Sequence, residues 1–335
     1  MIKLNDYLYG GHTVLSILHA YARDLGISSV KSGNEIDRMH SEFLSHYTGL
    51  LEHNEFLTSQ SQRILEFYKF MTEKYPLLSF IFKGRIKSLI RTEEKYNGYI
   101  AGEIYRTYKS TGKFPDVEEL KNRLGHFRDL IAYRIVISVP ACHLAPGQDK
   151  QKVEEQYLYE IANDLPQFLE ERGFRPELSQ WTEGYYGPAL KRNLRPYYRD
   201  YICNPKESGY RSLHITVYDR EAETFIEIQI RTKTMDDLAE IGAANHTDYE
   251  QSQEESRARH SLIPEGENIY FDEAFERVTA LQDLDLSSID VDMFTALSNT
   301  LMNDSCGLYR GRLILPYEHL SSYQNDLIET PELKG

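Results

Sequence analysis

The stretch Phe225-Ile226-Glu227-Ile228-Gln229-Ile230-Arg231-Thr232 constrains this chain more than any other. Side chains of a strand leave alternate faces, so Ile226, Ile228 and Ile230 point one way while Glu227, Gln229 and Arg231 point the other. The apolar face can enter a core. The opposite face lines up a carboxylate, an amide and a guanidinium, which a merely solvated strand rarely needs and a site built on a sheet often does. A second segment, His126-Phe127-Arg128-Asp129-Leu130-Ile131-Ala132-Tyr133-Arg134 running into Ile135-Val136-Ile137, repeats the logic and sets Asp129 where an apolar strand begins.

The rest of the chain alternates helix and strand signals. Val14, Leu15, Leu18 and Tyr21, then Phe43, Leu44, Tyr47, Leu50 and Leu51, then Ile64, Leu65, Phe67 and Tyr68 fall near the helical period, so the first 80 or so residues read as helical. Phe82 to Tyr108 begins as strand or loop and becomes a helix carrying Lys95. A short helix is expected over Val117 to Leu124, a strand over Tyr133 to Val139, and a helix over Val153 to Glu171. An irregular segment from Gly173 to Pro196 precedes a hairpin, Leu213 to Tyr218 with Thr224 to Ile230, joined by Asp219-Arg220-Glu221-Ala222. Helices are expected over Met235 to Tyr249 and within Phe271 to Leu301, and a last strand over Gly311 to Pro316. This order predicts an α+β fold with a mixed β-sheet flanked by helices.

With 335 residues, 41% hydrophobic and 27% charged, the chain can bury a sizeable core as one large or two modest domains. Cys142, Cys203 and Cys306 lie far apart with no zinc spacing and are expected to be reduced core thiols. The N-terminus lacks a basic head followed by an apolar run, and no stretch approaches the ~18 apolar residues of a membrane helix, which points to a cytoplasmic protein with no membrane partner. A net charge of −14 argues against a general nucleic-acid binder. Local balance differs: Lys83, Arg85, Lys87, Arg91 and Lys95 cluster in one segment, and Lys191, Arg192, Arg195, Arg199, Lys206 and Arg211 in another. Basic stretches in an acidic protein point to a pocket for a small polyanion such as a nucleoside triphosphate.

The two strand segments, with Gly84-Arg85-Ile86-Lys87 upstream and Ser208-Gly209-Tyr210-Arg211-Ser212-Leu213-His214 between them, resemble the synthetase domain of the RelA/SpoT-type alarmone synthetases from roughly Lys83 to Tyr249. The resemblance implies a nucleotidyltransferase-like synthetase domain at residues 82–250, between a helical N-terminal region at 1–81 and a C-terminal extension at 251–335 of unknown role. It implies transfer of pyrophosphate from ATP to the 3′-hydroxyl of GDP or GTP. The histidines His12, His19, His40, His46 and His53 read as helix-surface or satisfied core residues. No His-Asp dipeptide occurs, so the family's hydrolase module is expected to be absent.

Such a transfer needs a purine clamp, cations along a triphosphate, acids for Mg²⁺ and a base near the accepting hydroxyl. By resemblance, Arg85 and Arg134 stack on the adenine of ATP, and Lys87 and Lys95, with Arg91 between them, line its phosphates. Asp129 and Glu227 are the expected Mg²⁺ ligands, Glu227 being also the candidate base. Gln229 and Arg231 support it. Tyr210 offers its ring to the acceptor base, with Arg211 and His214 near the acceptor phosphates. Asp236, an acceptor-only carboxylate, suits the N1–H and N2–H₂ donors of guanine. Two other readings stand beside this one: a toxin that pyrophosphorylates the 3′ CCA end of tRNA, held by Lys191 to Arg199, and a catalytically silent nucleotide-binding or interaction protein. The C-terminal tail is open to assembly into a homo-oligomer or to covering the active site.

Overall fold

The computed structural model describes residues 1–8, 13–52, 62–125, 127–179, 181, 184–241, 261–282, 308–309 and 312–313. In chain order its helices are α1 (Val14–Ser32), α2 (Glu35–Glu52), α3 (Gln62–Lys74), α4 (Leu89–Thr111), α5 (Val117–Leu124), α6 (Lys150–Glu170), α7 (Lys233–Ile241) and α8 (Ile269–Gln282). Its strands are β1 (Ser79–Ile86), β2 (Ile131–Ser138), β3 (Phe174–Pro176), β4 (Tyr198–Asp200), β5 (Leu213–Asp219), β6 (Thr224–Thr232), β7 (Leu308–Tyr309) and β8 (Arg312–Leu313). They fall into two compact units, each drawn from separated stretches: Met1–Asn54 with Ile86–Leu130 and His246–Ser298, and Glu55–Arg85 with Ile131–Asn245 and Asn299–Gly335.

Among the described residues the first unit is helical. Thr13 caps α1 by accepting from the Ser16 amide, and Gly33, at φ 73°, takes the left-handed conformation that ends it. The Asn34 side chain then accepts from the amides of Ile36 and Asp37 and starts α2. The same logic closes α4 at Gly112 and opens α5 at Asp116, whose carboxylate and Glu119 cap each other's amides. Apolar side chains of α2, α4, α5 and α8, among them Met39, Ile100, Leu120 and Phe271, form one core cluster. Helix α8 is fastened by Arg277, 2% exposed, which donates to Asp37 Oδ1 at 2.7 Å. His40 is a satisfied core histidine, 2.7 Å from Glu93 Oε2, while His19 pairs with Glu52 on the surface and His46 is exposed. His12 and His53 lie outside the described residues.

The second unit is a mixed six-stranded sheet in the order β1-β2-β6-β5-β3, with β4 also paired to β5. Strands β2 and β6 run parallel, and β5 is antiparallel to β6, β3 and β4. The outer edge of β5 is shared: Leu213 to Ile215 pair with β4, and Val217 to Asp219 with β3. Helix α6 packs on β2, β6 and β3, and α7 on β2 and β6. The mixed sheet flanked by helices is the architecture expected from the strand order.

Several local expectations shift. Phe174–Pro176, inside the stretch read as irregular, is a strand; three residues ending in Pro at a sheet edge leave no alternation to read. Cys142 and Cys203 are exposed free thiols rather than core residues, and Cys306 lies outside the described residues. Helix α7 is described to Ile241 and α8 to Gln282, so the further extent expected for each falls outside them, while β8 lies within the expected last strand. No helix among the described residues is long and apolar enough to cross a membrane.

Candidate active site

Register decides which side chains share a face of the sheet. Residues paired across neighbouring strands point to the same side, and the ladder pairs Arg134 with Gln229, Gln229 with His214, Thr216 with Glu227, and His214 with Arg199. Arg134, Arg199, His214, Thr216, Glu227, Gln229 and Arg231 therefore occupy one face. Ile226, Ile228, Ile230, Leu213, Ile215 and Ile135 occupy the other and are almost completely buried. The alternation in the sequence is thus realised as one apolar and one chemically dense face.

Glu227, buried at 9% exposure, is the focus of that polar face. Its Oε1 accepts from Arg199 at 2.6 Å, and its Oε2 from the Gln229 amide nitrogen at 2.6 Å. His214 Nδ1 stands 3.2 Å from Oε1, off the hydrogen-bond axis. Arg231, itself 2% exposed, donates to Gln229 Oε1 at 2.7 Å, to the Tyr210 hydroxyl at 2.6 Å and to Asp236 Oδ1 at 3.2 Å. The first of these bonds fixes the amide of Gln229, turning its nitrogen toward Glu227. The Tyr210 hydroxyl in turn lies 2.9 Å from His214 Nε2, closing a ring of contacts that leaves Arg231 by two arms and ends on both oxygens of Glu227.

Burial alone would raise the Glu227 carboxyl, but His214, Arg199 and Gln229 outweigh it and hold it well below the usual carboxylate range. Burial pushes His214 down, and Arg199 and Arg231 act the same way against the pull of Glu227, so its imidazole is neutral at pH 7. At Gly209, φ 78° places the chain where a side chain is disfavoured, and the turn from Lys206 to Tyr210 presents the tyrosine ring. Arg231 lies 4.9 Å from the centre of that ring, and Lys206 Nζ lies 5.5 Å from the rings of both Tyr201 and Tyr210.

A second cluster belongs to the helical unit. Asp129 Oδ2 accepts from Lys95 Nζ at 2.6 Å and lies 3.1 Å from Lys87 Nζ, while its Oδ1 is buried with no hydrogen-bond partner. Lys95 comes from the second turn of α4, and its ammonium lies 5.3 Å from the rings of Tyr99 and Phe127. Lys87 is set just ahead of α4 by two backbone bonds: its amide donates to Leu130 O, and its carbonyl accepts from the Tyr47 hydroxyl. Burial would raise Asp129, but Lys87 and Lys95 together hold it below its ordinary range.

The structure therefore gathers Tyr210, His214, Glu227, Gln229, Arg231 and Asp236 into one network, and Lys87, Lys95 and Asp129 into another. Arg211 is not part of the first, donating instead to Glu155 on α6 at 2.9 Å. Arg91 is not part of the second, pairing with Glu94 at the surface. Arg85 lies on β1, and its side chain is outside the described residues. Two contributors escaped the sequence reading. Arg199 reads only as one of a basic run and Lys206 likewise, because a three-residue strand and a turn lysine carry no periodic signal; the register exposes the first and the ring contacts of the turn the second. Among the described residues no three acidic, histidine or cysteine side chains form a ready-made metal cage.

Residues 189–254 match the family model described as a region found in RelA / SpoT proteins, a span that holds β4, β5, β6 and α7 and hence every member of the Glu227 network. A GTP pyrophosphokinase of Photobacterium angustum is 47% identical over 60 residues, 18% of this chain and 8% of that protein. A guanosine-3′,5′-bis(diphosphate) 3′-pyrophosphohydrolase of Borreliella burgdorferi is 50% identical over 151 residues, 41% of this chain and 23% of that protein. The chain thus spans less than a quarter of the length of these curated relatives. A solved structure of small alarmone synthetase 1 from Bacillus subtilis, bound to its product pppGpp, aligns over 73% of this chain and 93% of that one at 20% identity and a TM-score of 0.28.

Proposed function

We propose that this chain, which carries a RelA/SpoT-type region, is a nucleotide 3′-pyrophosphokinase that moves pyrophosphate from ATP to the 3′-hydroxyl of GDP or GTP. The observation that carries the reading is the Glu227 network: a buried carboxylate oriented by three side chains, on one face of a sheet and inside the matched residues. In the reaction the 3′-oxygen bonds to the β-phosphorus of ATP, the bond from that phosphorus to the oxygen bridging it to the α-phosphate breaks, and AMP leaves with the electron pair. The hydroxyl proton passes to Glu227. Tyr210 carries the acceptor base, His214 and Arg211 serve its phosphates, and Asp236 acts on the guanine through Arg231, which holds the Tyr210 ring. On the donor side Arg85 and Arg134 are assigned to the adenine, and Lys87 and Lys95 to the triphosphate.

Mg²⁺ suits this donor set. Asp129 offers a buried carboxylate oxygen without a partner, and Mg²⁺ takes oxygen ligands and few protein carboxylates. Asp129 would hold the ion through that oxygen, and the ion when bound offsets charge on the phosphate oxygens. We assign catalysis to residues 82–250, with 1–81 and 251–335 as extensions, and place the protein in the cytoplasm with its nucleotide substrates.

The test follows the label from γ-labelled ATP offered with GDP, GTP, ADP or deacylated tRNA. Label on guanine nucleotide is the expected result; label on tRNA, or binding without transfer, replaces the reading. Asp129→Asn and Glu227→Gln should each lower transfer by about 10²-fold or more while sparing the fold, read by circular dichroism. Retained turnover removes that residue from the mechanism.

A further inference from the structure

Both oxygens of Glu227 are occupied, Oε1 by Arg199 and Oε2 by Gln229, and a carboxylate held this way is a weak base and a poor metal ligand. For it to accept a proton or bind a metal, a partner has to leave. The partners are not equally fixed. Gln229 and His214 belong to strands inside the sheet and are 5% and 6% exposed. Gln229 is also tied through its oxygen to Arg231, and His214 to Tyr210. Arg199 comes from β4, a three-residue strand that pairs with part of one edge, and its side chain is 29% exposed. Its other side-chain contact, to Thr216 Oγ1, is long at 3.5 Å. The guanidinium fork fits a phosphate as well as a carboxylate, and an incoming phosphate brings more charge than the carboxylate it would replace.

We propose that Arg199 is a substrate-operated switch: the phosphates of a nucleoside diphosphate acceptor draw its guanidinium off Glu227 and uncover Oε1 as the acceptor hydroxyl arrives. The proposal rests on the pyrophosphokinase reading and adds to it a competition, between one carboxylate of the protein and the phosphates of its substrate, for a single cation. Without acceptor, Oε1 of Glu227 stays capped by Arg199; with it, the carboxylate keeps Gln229 on Oε2 and presents Oε1 to the incoming hydroxyl. The phosphates of the acceptor thus do more than anchor it. A guanosine without them occupies the Tyr210 ring and leaves the base covered.

The competition is measured by binding alone, in a chelator so that metal plays no part. GDP and guanosine are titrated calorimetrically into the full chain as wild type, E227Q, R199Q and the double variant. E227Q leaves Arg199 without its carboxylate and is expected to bind GDP about fivefold more tightly, R199Q about tenfold more weakly, with guanosine unchanged in both. In the R199Q background the gain from E227Q should vanish. A gain that persists there is plain charge repulsion between Glu227 and phosphate and overturns the proposal, as does an E227Q protein with no gain or an R199Q protein with no loss. R199K, which keeps the charge, guards against a folding defect: the competition requires it to retain most of the GDP affinity, and its loss to the level of R199Q counts against a role for the charge. A wild-type chain that binds neither guanosine nor GDP sinks the acceptor reading itself, a result distinct from GDP binding that is indifferent to the pair.

Discussion

Arg231 shows how a buried side chain can decide what a half-buried one does. Its guanidinium holds Tyr210 by hydrogen bond and by its position over the ring, and Asp236 holds the guanidinium. Asp236 is 2% exposed, so its effect on guanine is expected to pass through Arg231 and the ring rather than through open contact. Asp236→Ala should therefore weaken guanine-nucleotide binding by about tenfold and ATP binding far less, since it leaves a buried cation without its partner. Equal losses in parallel titrations would count against this route. The residue types of the network were readable because strand alternation displays them; the Asp236–Arg231 contact was not, because a residue on a helix and one on a strand meet through tertiary packing and no spacing in the sequence encodes it.

At the scale of elements, α4 has to be held in place for Lys95 to meet Asp129. The holding group is Glu93, 0% exposed, which accepts from the Tyr21 hydroxyl of α1 at 2.5 Å and lies 2.7 Å from His40 Nε2 of α2. Burial would raise the Glu93 carboxyl, but the contacts of His40, Tyr21 and Arg277 outweigh it and keep it charged. Glu93→Ala should cost about 3 to 5 kcal/mol, because it leaves His40 and Tyr21 buried without their acceptor, and a denaturant titration reads it directly. A change under about 1 kcal/mol would reduce the network to a packing detail. Periodicity made these helices legible, as it did β2, β5 and β6. It could not reveal that α4 and α8 share a core with the N-terminal helices, since long-range partners leave no local pattern, nor β3, which is too short to have a period.

For the whole molecule, the ionised network sets how folding responds to acid. Glu227 and Asp129 have folded pKa values below their ordinary ones of 4.5 and 3.8, so the stability they contribute is complete above those values and is lost as pH falls toward the folded pKa. His214, depressed below 6.5, adds a loss of the same sign that begins nearer neutrality, because the unfolded imidazole takes up the proton first. Stability should therefore fall continuously from pH 6.5 downward, and Glu227→Gln should flatten the portion below pH 4.5. Urea unfolding across this range tests it, and identical slopes in variant and wild type would remove Glu227 from the balance. The divided edge of β5 has a separate consequence, for evolutionary tolerance. Two strands dock side by side on one neighbour, each through its own three residues, and the chain between them passes through an exposed Lys191-Arg192-Asn193 turn. Lengthening that turn is expected to disturb neither docking, so related chains can diverge there in size and charge while β5 keeps its place.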